Sequence, residues 1–292
     1  MVIKEARQFN RECEVKQTTL SDQPGSTELI ISEIHKLLES DELKLKSHSD
    51  LLSYFFTQQS SQYPLEKVNY QFKDNRYYLR AMTHTSFVHE FKSLQLESNE
   101  KLEFLGDSIL GTLVSTLLIN QFPKLNEGQL SKFRSSLVNG TSFAELGQFI
   151  GIGQCLLLGK GEFQSKGNYK EAILADGFEA FMGAIYTDSG FVAVKNAFYA
   201  LLENYKIAFN EEFINEQRLL QFDAKSRLQE KTMSLYKSLP EYKTTILSDH
   251  LFHIEVLIEG KVIASMEHIS KKKAERELAA KIINEDKYII NN

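Results

Sequence analysis

Asn99–Leu110 reads NEKLEFLGDSIL, and its helical period sorts the residues into two faces. Glu100, Glu103 and Asp107 stand three, four and seven apart, so three carboxylates share one side, while Leu105, Ile109 and Leu113 form an apolar stripe. Like charges so placed repel unless protons, cations or basic partners compensate. Gly106 lies in the middle of this helix, where glycine costs about 1 kcal/mol against alanine, which implies that something approaches the backbone closely. A second acidic pair, Asp176 and Glu179, sits three apart in ILADGFEAFMGAIY, residues 173–186, among Ile173, Phe178, Phe181 and Ile185. Acids on so apolar a helix are seldom idle. Two acidic helices facing each other fit a hard divalent cation such as Mg2+, held by carboxylates together with phosphate oxygens, and so point to phosphoryl transfer. Spacing alone leaves a second reading open, in which the first cluster is a solvated acidic face and Asp176 a carboxylate near a helix N-terminus.

The remaining composition sets bounds. The chain has 292 residues, enough for two domains or one large one, with 42% hydrophobic and 25% charged residues. No uninterrupted apolar run approaches the 18 or so residues of a membrane span, so no membrane partner is expected. Cys13 and Cys155 show no ligand spacing, and Cys155 in QCLLL reads as a buried thiol, which favours a reducing compartment. The start, MVIKEARQFNRECEVK, mixes acids with bases and lacks an apolar core, leaving cytoplasm or nucleus as the expected location. A net charge of -5 is low for a nucleic-acid binder, although Lys271, Lys272 and Lys273 form a local basic run.

Residues 1–26 are polar, include Pro24-Gly25 and read as flexible. Residues 27–70 form a helical unit with apolar stripes at Ile30, Ile34, Leu37 and Leu38 and at Leu51, Leu52, Phe55 and Phe56. Residues 71–207 run helix after helix, broken at Pro123, at Asn126 to Gly128 and in GKGEFQSKGNYK, residues 159–170. A polar linker at 208–220 leads to a module at 221–288 with the order αβββα: a helix over Asp223–Lys237, strands at Tyr242–Leu247, Phe252–Ile258 and Val262–Met266, a turn at Glu259-Gly260, and a helix capped by Ser270 with Ala274, Leu278 and Ile282 inward. His84 reads as a hydrogen-bonded structural residue rather than a catalytic base. Phe104 falls on a side of its helix that the stripe does not bury.

NEKLEFLGDSIL is similar to the signature of the ribonuclease III family, and LADGFEAFMGAIYTDSG, residues 174–190, resembles its second acidic motif. HTSF at His84–Phe87 and FPKLNEGQLSKFRSSLVN at Phe122–Asn139 match in the same order, and KSRLQE, HIEVLIEG and SKKKAERELAA resemble a double-stranded-RNA-binding domain. The likeness covers about the last three-quarters of the chain. It implies an all-α ribonuclease III endonuclease domain followed by an α+β double-stranded-RNA-binding domain. By motif, Glu103, Asp107, Asp176 and Glu179 match the main acidic positions, and Glu100 and Glu127 the outer carboxylates. Glu103, Asp176 and Glu179 would ligate metal directly, with Asp107, also one of the metal residues, orienting the water or a metal-bound ligand. The implied cofactor is Mg2+, two per active site roughly 3.5 to 4 Å apart, with Mn2+ able to stand in. Hydrolysis of both RNA strands would leave a 5′ phosphate and a 3′ hydroxyl, with Lys170 and Asn139 as phosphate or transition-state contacts.

The resemblance also implies a homodimer, with Phe104 entering a pocket on the partner and the 27–70 unit helping to join subunits. Ordinary core packing is the other reading of both. For duplex RNA, Gln229 and Glu230 would face one minor groove, His250 the next, and Lys271 and Lys272 the phosphates between. The chain departs from the family at Ser248-Asp249-His250, where Gly-Pro usually precedes the histidine, and Asp249 adds repulsion there. Within the family the domain order resembles budding-yeast Dicers, which generate small interfering RNAs. The alternatives are yeast nuclear ribonuclease III enzymes, which process ribosomal and small nuclear RNA precursors, and noncatalytic RNA-binding scaffolds.

Overall fold

The computed structural model describes residues 29–39, 47–215, 224–248 and 251–285. The expected flexible N-terminus, His250 and residues 216–220 of the expected linker lie outside them. The described residues form two compact units, one from those up to 117 together with 138–213, the other from 118–137 together with those from 214 onward.

In the first unit the described elements are helical: α1 (Leu29–Glu39), α2 (His48–Thr57), α3 (Tyr63–Val68), α4 (Asn75–Ala81), α5 (Thr85–Glu90) and α6 (Glu100–Gln121), whose last turn passes into the second unit. α7 (Glu127–Leu137) belongs to the second unit, and the first resumes with α8 (Gly140–Phe149), α9 (Ile152–Cys155), α10 (Lys160–Gln164) and α11 (Glu171–Phe209). Polar side chains start several of these helices. Ser47 and Asp50 form a reciprocal capping box on α2, Asp74 caps α4 and His84 caps α5. α1 turns Ile31, Ile34 and His35 inward, so its buried face is rotated from the predicted stripe and Leu37 and Leu38 are only half-buried.

α11 carries the core. It packs most extensively against α8, with α4 and α3 beside it. Its Phe181 ring meets Tyr78 at 5.5 Å, and Tyr78 stacks on Phe72 at 5.3 Å and meets Phe55 at 5.5 Å. All four rings are buried, each worth about 1.5–3 kcal/mol over exposure. Gly190, at φ +79, breaks α11. Just before the break the Asp188 carboxylate accepts hydrogen bonds from the Tyr70 hydroxyl and from the backbone N–H groups of Lys73 and Asp74, at 3.0 and 2.9 Å. That clamp fixes the register of the helix. Cys155 is buried with its thiol pushed up to about 12 by burial, as expected of an inert sulfur.

The second unit adds α12 (Ala224–Tyr236), β1 (Glu241–Ser248), β2 (Leu251–Ile258), β3 (Lys261–His268) and α13 (Lys271–Asn284). The strands form an antiparallel sheet in the order β1-β2-β3, with Thr244 opposite Ile254 and Ile254 opposite Met266. Glu259 and Gly260 both have positive φ, at 50 and 77, which is the two-residue hairpin geometry that matches strand twist. Ala224 and Leu228, Ile254 and Val256, and Ala274, Leu278 and Ile282 join the helices and the sheet in one small core.

Candidate active site

The site begins with two glycines. A Cβ on Gly106 would lie 1.8 Å from the Glu179 carbonyl oxygen, and one on Gly183 would lie 2.1 Å from that of Leu102. α6 and α11 therefore cross backbone against backbone, at a separation that excludes every residue larger than glycine. Leu102, Ile109, Leu110 and Leu113 of α6 are buried, as are Phe178, Phe181, Met182 and Ile185 of α11. Leu105, placed in the stripe by periodicity, is only half-buried, because the crossing turns Leu102 and Gly106 inward instead. Although α6 is long and apolar enough in composition to cross a membrane, it spends this character on the crossing and carries three acids.

That geometry sets Glu103 and Asp107 opposite Asp176 and Glu179. Burial first, then the charges of Asp107, Glu103 and Asp176, push the Glu179 carboxyl up to about 8. Burial also raises Glu103, reinforced by Asp176, Glu100 and Asp107. It raises Asp176 too, with His84 pulling the other way. Five acids thus share one field, in which full ionisation at neutral pH needs a compensating cation. Among the described residues no group of three or more His, Cys, Asp or Glu side chains is placed to hold a metal ion, so the carboxylates feel one another's charge without forming a ligand set. As oxygen donors they are of the kind that suits a hard divalent ion keeping several waters.

Neighbouring residues shape the rim. Glu100 is exposed and its Oε2 accepts from the Ser98 hydroxyl at 2.8 Å, while Arg80 pairs with Glu97 at 2.7 Å and donates to the Ser98 carbonyl at 3.3 Å. His84 caps α5 through Nδ1, which accepts from the Ser86 N–H at 3.2 Å; burial lowers its pKa against the pull of Glu162, Asp176 and Glu100. The structural role read from sequence is the one observed. Lys170 stands at the N-terminus of α11, and its ammonium donates to Glu162 Oε1 at 2.6 Å and Ser165 Oγ at 2.9 Å. Asn139 caps α8, its Oδ1 accepting from the Ser142 N–H at 3.1 Å, a local role the sequence reading did not include. Glu127 opens α7, in the second unit. Phe104 is 79% exposed, and Ser108, Thr112, Thr116 and Ile119 continue an uncharged exposed strip along α6.

In the second unit Gln229 and Glu230 are exposed on α12, with Glu230 Oε1 3.6 Å from the Lys132 ammonium. Lys271 is exposed in the first turn of α13, 4.0 Å from Glu275. Glu275 also takes Lys225 at 2.7 Å, and Lys225 lies 4.4 Å above the Tyr242 ring. This Lys225–Glu275–Lys271 arrangement escaped sequence reading because its members come from two separate helices. The side chain of Lys272, like His250, lies outside the described residues.

The model of the ribonuclease-III-like family matches residues 74–205, which include both acidic helices. Ribonuclease 3 of Syntrophobacter fumaroxidans is 38% identical over 220 residues, covering 74% of this chain and 90% of that one. Ribonuclease 3 of Aliarcobacter butzleri is 40% identical over 223 residues, covering 75% and 94%. The nuclease domain of ribonuclease III from Campylobacter jejuni is similar at 35% identity and a TM-score of 0.45, over 50% of this chain and 97% of that one. Identity at this level along nearly the whole length of the two ribonuclease 3 sequences places the chain in the ribonuclease III family of endoribonucleases.

Proposed function

We propose that this protein is a Mg2+-dependent endonuclease that hydrolyses both strands of double-stranded RNA as a homodimer. The observation that supports the reading is the shared electrostatic field of Glu103, Asp107, Asp176 and Glu179 beside the α6–α11 crossing, which with burial holds Glu179 at about 8. Glu103, Asp176 and Glu179 would hold the metal, with Glu100 as an outer carboxylate. A divalent metal held there would supply a nucleophile at neutral pH and would offset charge building on the phosphoryl oxygens. Asp107, exposed beside the cluster, orients the water whose oxygen bonds to phosphorus. As that bond forms the bond to O3′ breaks and the departing oxygen takes up a proton, which gives a 5′ phosphate and a 3′ hydroxyl. Lys170 and Asn139 meet the phosphate from the rim.

The C-terminal module would read duplex shape and phosphates through Gln229, Glu230, His250, Lys271 and Lys272. Exposed Phe104 and the uncharged strip of α6 support the dimer reading, since aromatic anchors and depletion of charge mark interface centres. Assignment to the budding-yeast Dicer type rests on the helical unit at 27–70 and the short connection ahead of Asp176. Long duplex RNA incubated with Mg2+ or with EDTA tests the activity, and cleavage in EDTA would refute it. Product sizing tests the type: regular small RNAs support it, and cuts at a fixed distance from a hairpin loop reassign the protein to precursor processing.

A further inference from the structure

Lys160 to Lys170 forms a small folded loop whose restraints converge on one carboxylate, Glu162. Its Oε1 accepts from the Lys170 ammonium at 2.6 Å, and Ser165 Oγ, which accepts from the same ammonium at 2.9 Å, also lies 3.4 Å from Oε1. A Cβ on Gly167 would lie 2.7 Å from both Cγ and Oε1 of Glu162, so this position must be glycine to seat that side chain. The loop is anchored as a whole: Gly159 N–H donates to Ser86 Oγ at 2.9 Å and Lys160 N–H to Glu90 Oε2 at 2.7 Å. The Lys170 and Glu162 charges are both felt at His84, together with those of Asp176 and Glu100.

We infer that Glu162 is a positioning residue: with Ser165 and Gly167 it holds the Lys170 ammonium in one place and presents it to a phosphate of the bound RNA. This rests on the reading of Lys170 as a phosphate contact. A flexible lysine restrained by two acceptors loses its freedom before substrate arrives, and misplacing such a contact by about 1 Å costs roughly 100-fold in rate.

The test is a double-mutant cycle in the full chain, read as single-turnover cleavage of duplex RNA with Mg2+, alongside duplex affinity in EDTA and thermal melting. Glu162→Gln is expected to slow cleavage by roughly 10- to 100-fold while duplex affinity and melting temperature hold. The same change made on Lys170→Ala is expected to add less than about twofold. Glu162→Asp should recover part of the rate, and Ser165→Ala, the milder lesion, should show a smaller loss with the same dependence on Lys170. Equal losses from Glu162→Gln in both backgrounds, or losses that track melting temperature, would overturn the inference. Slow Lys170→Ala with normal Glu162→Gln overturns it alone, whereas normal cleavage by Lys170→Ala overturns the phosphate-contact reading as well.

Discussion

The acid cluster and the C-terminal module handle charge in opposite ways. At the α6–α11 crossing, carboxylates are pressed together until one is held at about 8, with burial and mutual repulsion both opposing ionisation. In the second unit the described ion pairs bring opposite charges together: Lys225 and Lys271 share Glu275, and Lys132 faces Glu230. The first arrangement stores unfavourable electrostatics that a cation relieves. The second sets each described carboxylate against at least one ammonium, so its side chains attract rather than repel.

The contrast breaks most sharply with Asp107→Asn or Glu179→Gln. Either change is expected to lower duplex cleavage by about 1,000-fold or more, while duplex affinity in a filter or fluorescence assay stays within about twofold of the parent. Next in size is Gly106→Ala. The added methyl group meets a backbone carbonyl and cannot be accommodated by a rotamer change, so calorimetry should show a loss of about 3 kcal/mol, at the upper end of overpacking effects.

A subtler break comes from pH. Glu179 rises from its ordinary 4.5 to about 8 on folding, so between those values the folded protein binds more protons than the unfolded chain. Metal-free protein should therefore lose stability as pH rises from 5 to 8, with Glu103 and Asp176 acting in the same sense. Glu179→Gln should flatten that slope, and added Mg2+ should raise the melting temperature more at pH 8 than at pH 5. The smallest effect is expected from Lys271→Ala, which should weaken duplex binding a few-fold, reduce the salt slope by about 1 and leave the cleavage rate of the bound complex unchanged.

Both acid pairs and the need for a close approach at Gly106 were legible in the sequence because helical spacing and the cost of glycine are local properties. What Gly106 meets was not, since the Glu179 carbonyl comes from a helix more than sixty residues away. Gly183 passed unnoticed for the same reason: within an apolar helix its only signal is the absence of a side chain. The αβββα order followed from alternation and the Glu259-Gly260 turn, with strand ends extending one or two residues past the predicted limits where pairing outlasts the apolar pattern. Capping by His84 and Asn139 was harder to foresee, because both residues also suit catalytic work. Glu162 gave no signal in a glycine-rich stretch that reads as a break between helices.

Two backbones in touch at Gly106 and Gly183 leave nothing to adjust by exchanging side chains. The distance between the acid pairs is inherited from peptide geometry, which all residue types share, and any shift that slides one rod lengthwise carries its carboxylates along. Loops and outer surfaces can diversify freely on such a scaffold while the ruler at its centre keeps a constant length.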